Sequence, residues 1–147
     1  MNGKSLGLQV SSILLLGISL VACSQKSPAE PPAPEVVLQA IPAANSAQIE
    51  RIHDLKNWRN PYLIVRPDGV ALLDAADSAE IVLKPAELLP ALAALPASNW
   101  PYGRVVAAAE NRARISEQDS VAIRRNKGIV GGILEGAHIA VKWVPSA

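Results

Sequence analysis

The chain is predicted to be an α/β (α+β) protein: a two-layer sandwich with a mixed sheet of about four strands and helices on one face. Three observations lead there. Pro67-Asp68-Gly69 separates two strand-favouring runs and marks a hairpin, because proline pre-sets φ and glycine supplies the backbone freedom a turn demands. Ser116 with Asp119 has capping-box spacing and opens a long helical stretch between two apolar runs, the layout of a parallel strand–helix–strand unit. Roughly 100 residues follow the N-terminal region, enough for one core and one sheet with its helical layer.

In chain order, Asn45 or Ser46 caps a short helix to about Lys56, with Ile49, Ile52 and Leu55 as its buried face. The hairpin follows, Tyr62 to Arg66 and Val70 to Asp74. Pro85 suits a first helical turn, and Leu88, Leu92 and Leu95 recur at helical spacing with Leu89 beside them. Pro90 should kink this helix or delay its start, and Pro96 ends it. Arg104 to about Ile115 reads as a strand that places Glu110, Arg112 and Arg114 in alternation on a solvated face. The helix opened by Ser116 should run to about Glu135, with Ala122, Ile129 and Ile133 inward and Val130 joining them. Its Gly128, Gly131 and Gly132 each cost ~1 kcal/mol relative to alanine, so they predict a close approach to the sheet or a break. His138 to Val144 closes the chain as a strand, with Ile139, Val141 and Trp143 on one face.

Upstream lies a different kind of sequence. From Ser24 to about Pro42 the chain carries Pro28, Pro31, Pro32 and Pro34, which predicts an extended tether and places the domain at 45–147. Val36-Val37-Leu38 within it could instead dock on the domain. Before the tether come one cation, Lys4, and an apolar run from Ile13 to Ala22, with no acidic residue ahead of Cys23. This has the layout of a secretory signal, and the run is short of the ~20 apolar residues of a membrane span. Leu20-Val21-Ala22-Cys23 resembles the lipobox of bacterial lipoproteins. The resemblance implies that residues 1–22 are removed and that Cys23 becomes the first residue, lipidated on sulfur and acylated on its amine. Ser24 rather than Asp after the cysteine implies the outer membrane, facing the periplasm.

Composition narrows the chemistry. The chain holds 14 basic and 13 acidic residues, and loss of Lys4 with the leader leaves the two signs balanced, which argues against a nucleic-acid partner. Cys23 is the one cysteine, so the domain has no disulfide and no thiolate metal site. There is no Phe, and Ala, Val, Leu and Ile must build the core around three Trp and two Tyr. No cofactor is expected, since phosphate loops and dinucleotide fingerprints are missing. His53 and His138 stand outside metal-binding spacings and read as structural or solvated. No nucleophile elbow accompanies them. A non-catalytic binding module is therefore the leading function, with an envelope protein or peptidoglycan as partner; a small periplasmic hydrolase is the alternative.

Two segments echo each other, Asn57-Trp58…Pro61-Tyr62 and Asn99-Trp100-Pro101-Tyr102, each leading into a strand. They read either as rigid aromatic corners that fill the core or as a contact surface. As a surface it centres on Trp100, Tyr102 and Arg104, since Trp and Arg most often anchor interfaces. Of these, Trp100 is expected in the core and Arg104 exposed. Arg104, Arg112, Arg114, Arg124, Arg125 and Lys127 form a further candidate, an anion-binding face or a solvated surface of scattered ion pairs.

From Tyr62 onward the chain resembles the periplasmic domain of the ExbD/TolR family of energy-transducing envelope proteins. The residues concerned are Leu63-Ile64-Val65 with Pro67-Asp68-Gly69, the leucine-rich Pro85 to Leu95, Val105 to Ala109, and Ile139 to Trp143. That family is held by a transmembrane helix with an acidic residue that serves proton flow. The apolar segment here has no acid, so the resemblance implies the fold without the force-generating role.

Overall fold

A computed structural model describes residues 30–52, 55–73, 79–112 and 115–145. One compact unit runs from Pro31 to Ala147, upstream of the boundary expected at 45. Cys23, His53, Asp74 and Arg114 lie outside the described residues.

The correction at the N-terminal side has a clear cause. Pro34 to Gln39 is a helix, α1, rather than extended tether, with Pro34 in its first turn where a missing N–H costs nothing. Leu38 on α1 is fully buried and belongs to the main core with Leu88 and Leu92. Truncating such a leucine costs about 2–5 kcal/mol, which makes this segment part of the fold.

Asn45 caps the next helix, α2 (Ser46–Glu50), and its side chain accepts from the Gln48 N–H at 3.2 Å. α2 ends at Glu50 instead of continuing to Lys56; a separate 3-10 turn spans Leu55–Asn57. The hairpin forms as read, with β1 (Tyr62–Arg66) antiparallel to β2 (Gly69–Leu73) and Val65 opposite Val70. A Cβ on Gly69 would strike the Leu83 carbonyl, so this position must stay bare. Leu83 belongs to a strand the sequence reading lacks, β3 (Glu80–Leu83), which pairs antiparallel with β2. The sheet therefore has five strands rather than four.

Pro85–Glu87 forms a 3-10 turn, and α3 (Leu88–Ala94) starts after it. Pro90 has delayed the helix so that it sits in the first turn, where no intrahelical N–H bond is lost. β4 (Val105–Glu110) ends earlier than read, and Arg112 has left the strand. Ser116 and Asp119 close the expected capping box on α4 (Glu117–Gly136). β5 (Ala140–Trp143) is parallel to β4, and β4 is parallel to β1, giving the order β3-β2-β1-β4-β5.

Leu63, Val70, Leu72, Val106 and Ala108 share the sheet face against which α1, α3 and α4 pack. The buried residues of α4 are Ile123, Val130 and Leu134, while Ile129 is 40% exposed. Its inward face is thus turned about one residue from the one read off the sequence. The helix is neither broken nor pressed on the sheet at its glycines: no atom lies within 4 Å of a Cβ built on Gly128, Gly131 or Gly132. After α4 the Ile139 N–H returns to the Leu134 carbonyl and the His138 N–H to Glu135, both at 2.9 Å, with His138 at φ 57°. That is a Schellman stop in which histidine occupies the place glycine usually takes. His138 ends the helix here instead of beginning the strand.

Candidate functional site

The two aromatic echoes meet in space, and Asn60 joins them. Asn60 is 2% exposed at the foot of β1. Its amide donates to the carbonyls of Gly103 and Val105, both at 2.7 Å, and its oxygen accepts from the Tyr102 N–H at 3.0 Å. Tyr102 donates its hydroxyl to the Asn57 carbonyl at 3.0 Å, and its ring lies 5.4 Å from that of Trp58. Trp58 in turn donates its indole N–H to the Pro61 carbonyl at 3.2 Å. Each segment thus satisfies the other's polar groups at the entrance to the parallel strands. Gly103 completes the corner at φ +76°, with the Ala43 carbonyl 2.5 Å from where a Cβ would stand. The Arg104 N–H donates to the Pro42 carbonyl at 2.8 Å, so the corner also fastens the chain that follows α1.

The residues proposed as a contact surface divide between two environments. Trp100 is 4% exposed and packs in the main core, as expected, with its indole N–H buried and unbonded. Tyr102 is half-buried against Trp58. Arg104 is half-buried rather than exposed, and its Nε is buried without a partner. Tyr102 and Arg104 keep part of their surface exposed, and Trp100 does not. Beside Trp100 an apolar groove of about 260 Å³ is lined by Val37, Ile41, Pro42 and Leu95 among others.

The basic set also divides. Arg104 stands at the N-terminal end of β4, and Arg125 lies on the solvent side of α4. Arg112, Arg124 and Lys127 gather at the C-terminal end of β4, where Glu110 waits with its side chain 10% exposed. Glu110 accepts from Lys127 at 2.6 Å and from the Arg112 Nε at 2.7 Å. Those two hydrogen bonds hold its carboxyl below the ordinary range, outweighing the opposite effect of burial. Lys127 also lies 4.4 Å from the centroid of the Trp143 ring. A cavity of about 150 Å³ opens here, lined by Glu110, Arg112, Ile115, Ser120, Ile123 and Arg124. In place of the expected alternation on one solvated face, Glu110 and Arg112 join this partly buried charge cluster; Arg114 lies outside the described residues. Sequence reasoning missed the contact of Lys127 with Trp143 and the half-buried state of Glu110, because the first needs the β4–β5 pairing that aligns Ala108 with Trp143 and the second needs α4 packed beside β4.

Lys142 is a further position that sequence reasoning passed over. It lies on the opposite sheet face, and its ammonium donates to the carbonyls of Ile52 and Ile49 at 2.7 and 3.2 Å, tying the end of α2 down. Among the described residues no group of three or more His, Asp, Glu or Cys side chains could hold a metal, and no helix is long and apolar enough to cross a membrane. No protein-family model, curated protein or solved structure matches this chain.

Proposed function

We propose that this chain is an envelope lipoprotein, anchored through Cys23 and carrying a non-catalytic interaction module of ExbD/TolR-like type without a proton-path helix. The observation that carries the reading is the lipobox Leu20-Val21-Ala22-Cys23 behind an acid-free apolar run. Ser24 assigns the anchor to the outer membrane, with the module in the periplasm. Because α1 belongs to the folded unit, residues 24–33 are all that separate it from the anchor, and ten residues span at most ~35 Å. A partner must accordingly come close to the membrane, and either an envelope protein or peptidoglycan meets that condition. The rims of Tyr102 and Arg104 are the contact residues of this reading, stiffened by the Asn60 clamp so that little entropy is lost on docking.

Mass spectrometry of the membrane fraction tests the anchor. The expected N-terminal peptide begins at a lipidated Cys23; an unmodified cysteine or a retained Met1 ends the proposal. Crosslinking in intact cells then tests the module, with Arg104→Ala expected to lose the captured partner while the fold persists. Loss of a cellular phenotype on joint replacement of His53 and His138 by alanine, with the fold intact, would instead favour a hydrolase.

A further inference from the structure

We propose that the cavity at the C-terminal end of β4 binds a phosphate monoester, held by Arg112, Arg124 and Ser120. β4 stops at Glu110, so Arg112 has left the strand, and its Nε and Nη2 both reach the Glu110 Oε2, at 2.7 and 2.6 Å. Its Nη1 has no partner among the described residues. On α4, Ser120 and Arg124 are four residues apart and therefore stand on one face, one turn from each other. Both line the cavity with Arg112, and Ile115 and the buried Ile123 back it. Arg124 is exposed and pairs with no carboxylate among the described residues. A whole guanidinium and one nitrogen of a second are thus free to meet a ligand at the same cavity. The site lies at the opposite end of β4 from Tyr102 and Arg104 and does not rest on the contact assigned to them.

Charge selects the class of ligand. Arg112, Arg124 and Lys127 gather around one carboxylate, Glu110, whose two oxygens are already taken, Oε1 by Lys127 and Oε2 by Arg112. Asp119, beside Ser120 in sequence, is closed into the capping box with Ser116. The cluster keeps two uncompensated positive charges. A carboxylate or a phosphodiester would neutralise half of that charge, and a phosphomonoester dianion all of it. Size agrees, since about 150 Å³ admits one compact anionic group and leaves the substituent beyond the ester oxygen in solvent. The terminal phosphate oxygens only accept hydrogen bonds, and the cavity offers donors: Arg112 Nη1, the Arg124 fork and the Ser120 hydroxyl. That hydroxyl now donates to the Ser116 carbonyl at 3.1 Å and can rotate toward the ligand. The apolar backing of Ile115 and Ile123 lowers the local dielectric and strengthens each of these bonds.

The test is a titration of the full chain in phosphatidylcholine bicelles at about pH 8, where a phosphomonoester carries close to two negative charges. The amide resonances of Ser120, Ile123 and Arg124 report binding. Methyl phosphate should shift them and bind at least about tenfold more tightly than dimethyl phosphate or acetate. Arg124→Gln should weaken methyl phosphate at least about tenfold, through loss of a charged hydrogen-bond donor. Arg125→Gln removes the same charge from the neighbouring exposed residue and should weaken it less than about twofold, because a charge in solvent is screened. Phosphatidic acid in the bicelle and methyl phosphate in solution separate a lipid source from a soluble one, and shifts of these resonances in either arm support the site. Equal affinity for monoester, diester and acetate would overturn the proposal. So would equal losses from Arg124→Gln and Arg125→Gln, or shifts that bypass the Ser120–Arg124 turn of α4.

Discussion

Replacing Gly128, Gly131 and Gly132 with alanine should make this protein more stable. All three lie inside α4, and a Cβ added at any of them meets no atom within 4 Å. Glycine in a helix interior is worth ~1 kcal/mol less than alanine, because it surrenders more backbone freedom on folding. With no steric charge against the new methyl groups, the triple variant should gain about 2–3 kcal/mol. For a domain of this size each kcal/mol moves the midpoint by about 4 °C, so thermal unfolding followed by far-UV circular dichroism should rise by roughly 8–12 °C. Urea titration should show a higher midpoint at unchanged slope, the mark of a stability change without a change in exposed surface. A neutral or destabilised variant would refute the reasoning. It would mean that the glycine backbone is closely approached after all, as its occurrence in the sequence leads one to expect.

Asn60→Ala removes a donor to two carbonyls and an acceptor for the Tyr102 N–H in a buried corner, and urea titration should show a loss of about 2–4 kcal/mol. His138→Gly should raise stability by about 1 kcal/mol, since a non-glycine residue in the left-handed region at a helix stop is disfavoured; the same denaturation curve checks it. Glu110 has a folded pKa below its ordinary 4.5, so its stabilisation is complete above that value and fades as pH falls through the lower, folded one. Stability measured from pH 6 to 2.5 should fall less steeply in Glu110→Gln than in the native chain, and equal acid limbs would contradict the ion cluster.

Local rules made several elements readable from the chain alone. Pro67-Asp68-Gly69 is a turn because of its own residues, and the Ser116/Asp119 box closes over three positions. Pro90 could delay α3 but not abolish it, since its effect is confined to one turn. Leu20-Val21-Ala22-Cys23 resembles a lipobox as a linear pattern, so that proposal draws on no part of the fold. What depended on partners distant in sequence was decided by packing. α1 is a helix because Leu38 finds a place beside Leu88 and Leu92; the same proline-rich residues without that contact would remain extended. α4 has apolar residues around much of its circumference, so periodicity could not choose between Ile129 and Ile123 as the buried side, and the sheet chose Ile123. β3 is too short to show alternation, and its pairing with β2 is what makes it a strand. Val105 to Ala109 are all buried, without alternation, because both faces of β4 are covered. Glu110 became a half-buried, doubly bonded carboxylate only when α4 folded back and set Lys127 within 2.6 Å of it. Turns and caps are settled by energies within a few residues, whereas burial depends on which surfaces meet, and that is a property of the whole folded chain.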